Sequence, residues 1–112
     1  MHSVIETPIF TKRADALLSR EERAELIRLL AENPRRGDVI PGLGGVRKMR
    51  FAASGMGKRG GYRVIWYVTD EETPVIALLL YGKNEQVDLT PEQKKAVLAL
   101  AEQIKAASRK RK

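Results

Sequence analysis

Six cations, Arg47, Lys48, Arg50, Lys58, Arg59 and Arg63, fall within one short glycine-rich stretch, and Tyr81 and Lys83 close the most apolar segment of the chain. Arginine keeps its proton under physiological conditions, so Arg50 and Arg63 suit the clamping of a phosphate rather than proton transfer. Crowded cations lower a lysine's pKa, which lets a lysine in such a set act as a base. Thiol and imidazole chemistry is ruled out by composition. Cysteine is absent and the one histidine is His2. Thiol nucleophiles, disulfides, zinc ribbons, histidine metal sites and Ser-His-Asp triads are therefore excluded. Any chemistry must be run by Lys, Arg, Tyr and carboxylates, and no cofactor or metal is expected.

The charge is unevenly spread over the 112 residues, whose net charge is +7. Residues 35–63 hold 8 basic and 1 acidic side chains, and no Asp or Glu occurs anywhere in 39–69. Residues 1–34 and 64–108 are both slightly acidic, and Arg109-Lys110-Arg111-Lys112 ends the chain. A concentrated basic block of this kind reads as a polyanion site, most often for nucleic acid, against the plainer reading of a solvated basic surface. The run Gly55-Met56-Gly57-Lys58-Arg59-Gly60-Gly61 resembles a nucleotide phosphate loop only superficially. Ala52 stands where a Walker loop needs its first glycine, and Arg59 stands where it needs Ser or Thr. What survives is a basic loop whose backbone can approach a nucleic-acid phosphate.

The elements that must position these groups follow from spacing. Residues 2–6 form a short strand, and Thr7-Pro8 is an N-cap with proline at the first helical position. Phe10, Ala14, Leu17 and Leu18 recur at helical spacing. Ser19 and Glu22 make a capping box for a second helix, whose buried face is Leu26, Ile27, Leu29 and Leu30 and which Asn33-Pro34 stops. Strands follow at Val46–Ala52, Gly61–Thr69 and Val75–Tyr81, joined by the Ser54–Gly60 connection and an Asp70–Pro74 turn, so an antiparallel meander is expected. Val75–Tyr81 is apolar enough to be covered on both faces. Gly82 is expected to turn the backbone and deliver Tyr81 and Lys83 to the sheet's edge.

Parity puts Lys48 and Arg50 on one face, with Arg63 joining them if Val64 and Trp66 point inward beside Met49 and Phe51. Trp66, Tyr62 and Tyr67 can stack on bases but are needed for the core, because the chain has few aromatics. Thr90-Pro91-Glu92-Gln93 opens a last helix that buries Val97, Leu100, Ala101 and Ile104. The expectation is a single α+β domain of order βααβββα over residues 1–107, with an antiparallel sheet against a helical hairpin and a C-terminal helix. Residues 108–112 form a disordered basic tail in this reading.

Several segments together resemble a known family. They are Val4-Ile5-Glu6-Thr7-Pro8, Asn33-Pro34 with Gly37-Asp38-Val39-Ile40-Pro41-Gly42, Gly44-Gly45-Val46-Arg47-Lys48, Gly57-Lys58-Arg59-Gly60-Gly61-Tyr62-Arg63-Val64-Ile65, and Tyr81-Gly82-Lys83-Asn84-Glu85. The chain is similar over residues 2–105 to the RelE/ParE superfamily, and within it to the HigB-like toxins of bacterial type II toxin–antitoxin systems. It departs from the pattern at Met56 and at Trp66. The resemblance implies a RelE-like fold and a cytoplasmic, ribosome-dependent endoribonuclease that cleaves mRNA in the A site and so inhibits translation. It also implies a cognate helix-turn-helix antitoxin, with DNA contacted only through the toxin–antitoxin complex and no membrane association.

Cutting RNA through its own 2′-OH needs a base, a cationic clamp for the phosphorane and an acid for the 5′-oxygen. The residues assigned are Arg63 and Arg50 as clamps, Lys58 and Lys83 for proton transfer, and Tyr81 as a positioning group. Arg47, Lys48 and Arg59 are assigned to RNA binding. A Lys/Arg/Tyr site is a weak substitute for histidine and gains from a ribosome that aligns the substrate, since alignment can contribute about 7–11 kcal/mol. Two other readings stay open: a ParE-like gyrase inhibitor without enzymatic activity, and an inactive basic RNA-binding domain.

Overall fold

The computed structural model describes residues 2–52, 61–69 and 73–110. The Ser54–Gly60 connection, with Lys58 and Arg59, most of the Asp70–Pro74 turn, and Arg111-Lys112 lie outside the described residues. The elements are β1 (Val4–Glu6), α1 (Pro8–Leu17), α2 (Arg20–Glu32), β2 (Asp38–Val39), β3 (Arg47–Phe51), β4 (Tyr62–Tyr67), β5 (Val75–Gly82) and α3 (Pro91–Lys110).

Each helix starts where the capping chemistry requires. The Thr7 hydroxyl oxygen accepts from the Phe10 amide at 3.1 Å and donates to the Leu78 carbonyl at 2.9 Å, so one side chain caps α1 and pins it to β5. Ser19 and Glu22 close a reciprocal box at α2, with contacts of 3.1 and 2.7 Å. Thr90 and Gln93 do the same at α3, at 3.1 and 2.9 Å. α3 continues to Lys110, three residues beyond the helix end expected at Ala107.

The five strands form one sheet in the order β1-β5-β4-β3-β2. β3, β4 and β5 make the expected antiparallel meander. Two features add to it. β1 pairs in parallel with β5, so the sheet is mixed, and β2 supplies a two-residue edge against β3. The hairpin α1–α2 lies between β1 and β2 in the chain, which leaves β1 free to lie alongside β5 in the same direction. β2 is too short and too exposed to leave a periodic signal. Gly37 permits its close approach: at φ +76°, a Cβ there would sit 2.3 Å from the Lys48 carbonyl oxygen.

Hydrophobic cores cover both faces of the sheet. One joins Phe10, Ala14, Leu26 and Leu30 of the helical hairpin to Phe51, Val64, Trp66, Val75, Ala77 and Leu80. The other joins Val97 and Ala101 of α3, with Ile40, Leu43 and Val46, to Ile65, Tyr67, Leu78, Leu79 and Tyr81. Trp66 is fully buried and donates its indole N–H to the Pro34 carbonyl at 2.7 Å, while Tyr62 donates to the Leu17 carbonyl at 3.0 Å. The aromatic side chains of β4 therefore serve packing rather than base stacking.

A bulge interrupts the β4–β5 ladder. Ile65 faces Leu79 but Trp66 faces Ala77, which leaves Leu78 as the extra residue. Val75 and Ala77 join the hairpin-side core, and the inserted residue shifts the phase so that Leu79 and Tyr81 join the α3-side core. Without it, strict alternation would send Tyr81 to the opposite face.

Candidate functional site

The bulge decides which residues stand beside Tyr81. Arg50 on β3 is directly opposite Arg63 on β4, and Arg63 is directly opposite Tyr81 on β5. Opposite residues on adjacent strands share a face, so the three form one row across β3, β4 and β5 near one end of these strands. Val64, Trp66 and Phe51 lie in the hairpin-side core with Met49 packed against them, which places Lys48, Arg50 and Arg63 together on the other face, as parity required. Arg50 is exposed and Arg63 and Lys48 are half-buried.

Tyr81 is 2% exposed, so the expectation that Gly82 would bring it out to an edge is corrected. The inserted residue in β5 and the α3-side core take its ring inward, and the Arg63 guanidinium hydrogen-bonds to its phenol. Burial pushes the phenol pKa up, the Arg63 charge and hydrogen bond oppose that, and Asp88 adds to the rise. The phenol stays protonated at neutral pH and lies in hydrogen-bond contact with the Arg63 guanidinium.

Lys83 is half-buried in the turn after β5, where its backbone amide donates to the Gly61 carbonyl at 3.3 Å, next to the start of β4. Farther along that connection, the Gln86 side-chain amide donates to Gln93 Oε1 and to the Asp88 carbonyl, both at 2.7 Å, which fastens it to the first turn of α3. The carboxylate closest to Lys83 in sequence, Glu85, is taken up by Arg13, whose Nε also donates to the Leu80 carbonyl at 3.2 Å. Lys48, Arg50, Arg63 and Lys83 form no ion pair with any described carboxylate.

Arg47 separates from this group. It is out of phase with Lys48 and Arg50, and its Nη1 donates to the Arg35 carbonyl at 2.8 Å. It lines a cavity of about 360 Å³ near the other end of β4, together with Arg35 and Lys105. Spacing in the sequence missed Lys105 at this place, because only the packing of α3 brings it there. Among the described residues no cluster of His, Cys, Asp or Glu could hold a metal ion.

The arrangement supplies an open cationic row whose central member is fixed by a buried phenol, and such a row can grip a phosphate and stabilise added negative charge on it. Comparison with known proteins agrees with the fold that builds it. Residues 9–111 match the family described as RelE toxin of the RelE / RelB toxin–antitoxin system. Among solved structures, the chain is similar to a double arginine-to-alanine variant of the E. coli toxin RelE in the free state. The identity is 20% and the TM-score 0.57, over 77% of this chain and 87% of that one. With a match across nearly its whole length, this chain belongs to the RelE family of toxins from toxin–antitoxin systems.

Proposed function

We propose that this toxin is a ribosome-dependent endoribonuclease that cleaves mRNA in the A site and thereby stops translation. The observation that supports this most is the Arg50–Arg63–Tyr81 row, with two cations left unpaired by described carboxylates and one of them anchored from behind. In the proposed reaction the 2′-oxygen attacks the adjacent phosphorus and the 5′-oxygen leaves. Arg63 and Arg50 hold the phosphorane oxygens, which gain negative charge in the transition state. Tyr81 keeps Arg63 aimed. Lys83 is one candidate for proton transfer and Lys58, outside the described residues, is the other. Lys48 and Arg59 contact the RNA backbone. No metal takes part in this scheme.

The family pairing implies an antitoxin partner, and in this reading it carries a helix-turn-helix domain through which the complex meets DNA. No described helix is long and apolar enough to cross a membrane. Induced expression should arrest translation, and primer extension should map cuts inside translated messages but not in the same RNA without ribosomes. Growth arrest with intact messages and inhibited gyrase would replace this function with that of a gyrase poison. Absence of any effect on translation would leave an inert basic domain.

A further inference from the structure

The cavity of about 360 Å³ at the far end of the sheet is lined by Arg35 before β2, Arg47 at the start of β3 and Lys105 on α3, with Ser108 and with Thr69, whose hydroxyl is hydrogen-bonded to that of Thr73. No described carboxylate lines it. Gly44 forms part of its wall at φ +70°, and a Cβ there would lie 3.6 Å from Lys105 Nζ, so the lysine head group rests over bare backbone. The Arg47 guanidinium is held by the Arg35 carbonyl. Arg47 and Arg50 are three residues apart on β3, about 10 Å at 3.3 Å per residue, so this cavity and the cationic row cannot serve the same phosphate.

We propose that the Arg35–Arg47–Lys105 cavity is a second anion site that grips a backbone phosphate of RNA away from the cleavage row. Three cations from separate parts of the chain line it, and guanidinium and ammonium donors match the oxygens of a phosphate. Beyond Ser108 the next four residues in the sequence are all basic. Such a concentration of positive charge in the sequence, next to a cavity lined by three cations, suits a polyanion better than a single carboxylate. The inference deepens the nuclease reading and rests on it for the choice of RNA.

The test uses the full chain and a short 2′-O-methyl oligoribonucleotide, which can be bound but not cut. Its affinity is measured by fluorescence anisotropy over a range of salt. The Arg35→Ala/Lys105→Ala double variant keeps the Arg35 carbonyl that orients Arg47. It should weaken binding and flatten the slope of log affinity against log salt by about 0.7, the value for one lost phosphate contact on a single strand. Lys105→Arg should keep the slope, and Lys105→Glu, on the half-exposed side of α3, should weaken binding more than Lys105→Ala.

An unchanged slope in the double variant overturns the proposal. So does a site that answers only to inorganic phosphate, seen as shifts of the Arg35 and Arg47 Nε–H signals, or one that takes polyglutamate in place of RNA. Because the probe has no free 2′-OH, the result is independent of cleavage. Cuts in translated messages with an unchanged slope sink the cavity alone, whereas a flattened slope without any cuts sinks the nuclease reading alone.

Discussion

Arg23 and Arg63 are both partly buried arginines at junctions between elements, and their surroundings differ completely. Arg23 on α2 donates to Glu6 of β1 at 2.5 and 3.2 Å and also pairs with Asp15 of α1, so three elements are tied by one ion-pair cluster. Arg63 has a phenol beside it and makes no ion pair with a described carboxylate. A cation that serves only the fold is matched by anions within the fold, because leaving it unmatched weakens the packed state. A row of cations held in place without such anions can receive a negative charge from elsewhere, which is the role proposed for Arg50 and Arg63. The contrast separates stability from function at the level of single residues, and it can be broken from either side.

The largest effect is expected at Arg63. Arg63→Ala should lower cleavage of translated messages by about 10²-fold or more, the usual loss when a phosphorane clamp is removed. Its unfolding free energy in urea should stay within about 1 kcal/mol of the parent, since no internal ion pair is lost. A variant that unfolds, or that cuts normally, would erase the distinction.

Arg23→Ala should do the reverse. Removing the centre of the cluster leaves Glu6 without its charged donor and should cost about 1–2 kcal/mol of stability, with the cleavage rate per folded molecule retained. The pH dependence sharpens this. Burial disfavours the ionised Glu6 carboxylate, but hydrogen bonds from Arg23 and Thr11 outweigh it and hold its pKa below the usual 4.5. A folded pKa below the unfolded one means that this stabilisation is complete at neutral pH and is lost as the pH falls through the folded pKa. Denaturation midpoints of the parent should therefore drop below pH 4.5, and Arg23→Ala should show a shallower acid limb. Equal acid limbs would mean that the cluster does not stabilise the fold.

The smallest effect is expected at Tyr81. Tyr81→Phe keeps the ring in the α3-side core and removes only the oxygen that Arg63 contacts. Cleavage should fall about fivefold, the equivalent of one ordinary hydrogen bond of about 1 kcal/mol, with turnover affected more than KM. A loss as large as that of Arg63→Ala would make Tyr81 a participant in the reaction rather than a support for it.

Much of the molecule is written locally. The Thr7, Ser19 and Thr90 caps, the Asn33-Pro34 stop, the three meander strands and the shared face of Lys48 and Arg50 each depend on contacts a few residues apart, which periodicity and capping chemistry can read. The basic block between residues 35 and 63 is equally plain, because charge composition needs no folding to be seen. Tertiary structure decided the rest. The parallel pairing of β1 with β5 joins residues far apart in the chain, such as Val4 and Val75, and no local spacing encodes it. The extra residue at Leu78 reverses the alternation of β5, and a bulge is chosen by how both cores fill rather than by the strand itself. That reversal is what puts Tyr81 behind Arg63. Likewise, only the packing of α3 across the sheet carries Lys105 to Arg35 and Arg47, so one basic block in the sequence becomes two separate cationic sites in the fold. Side chains far apart in the chain meet where burial of apolar surface brings their elements together, and that balance belongs to the whole molecule.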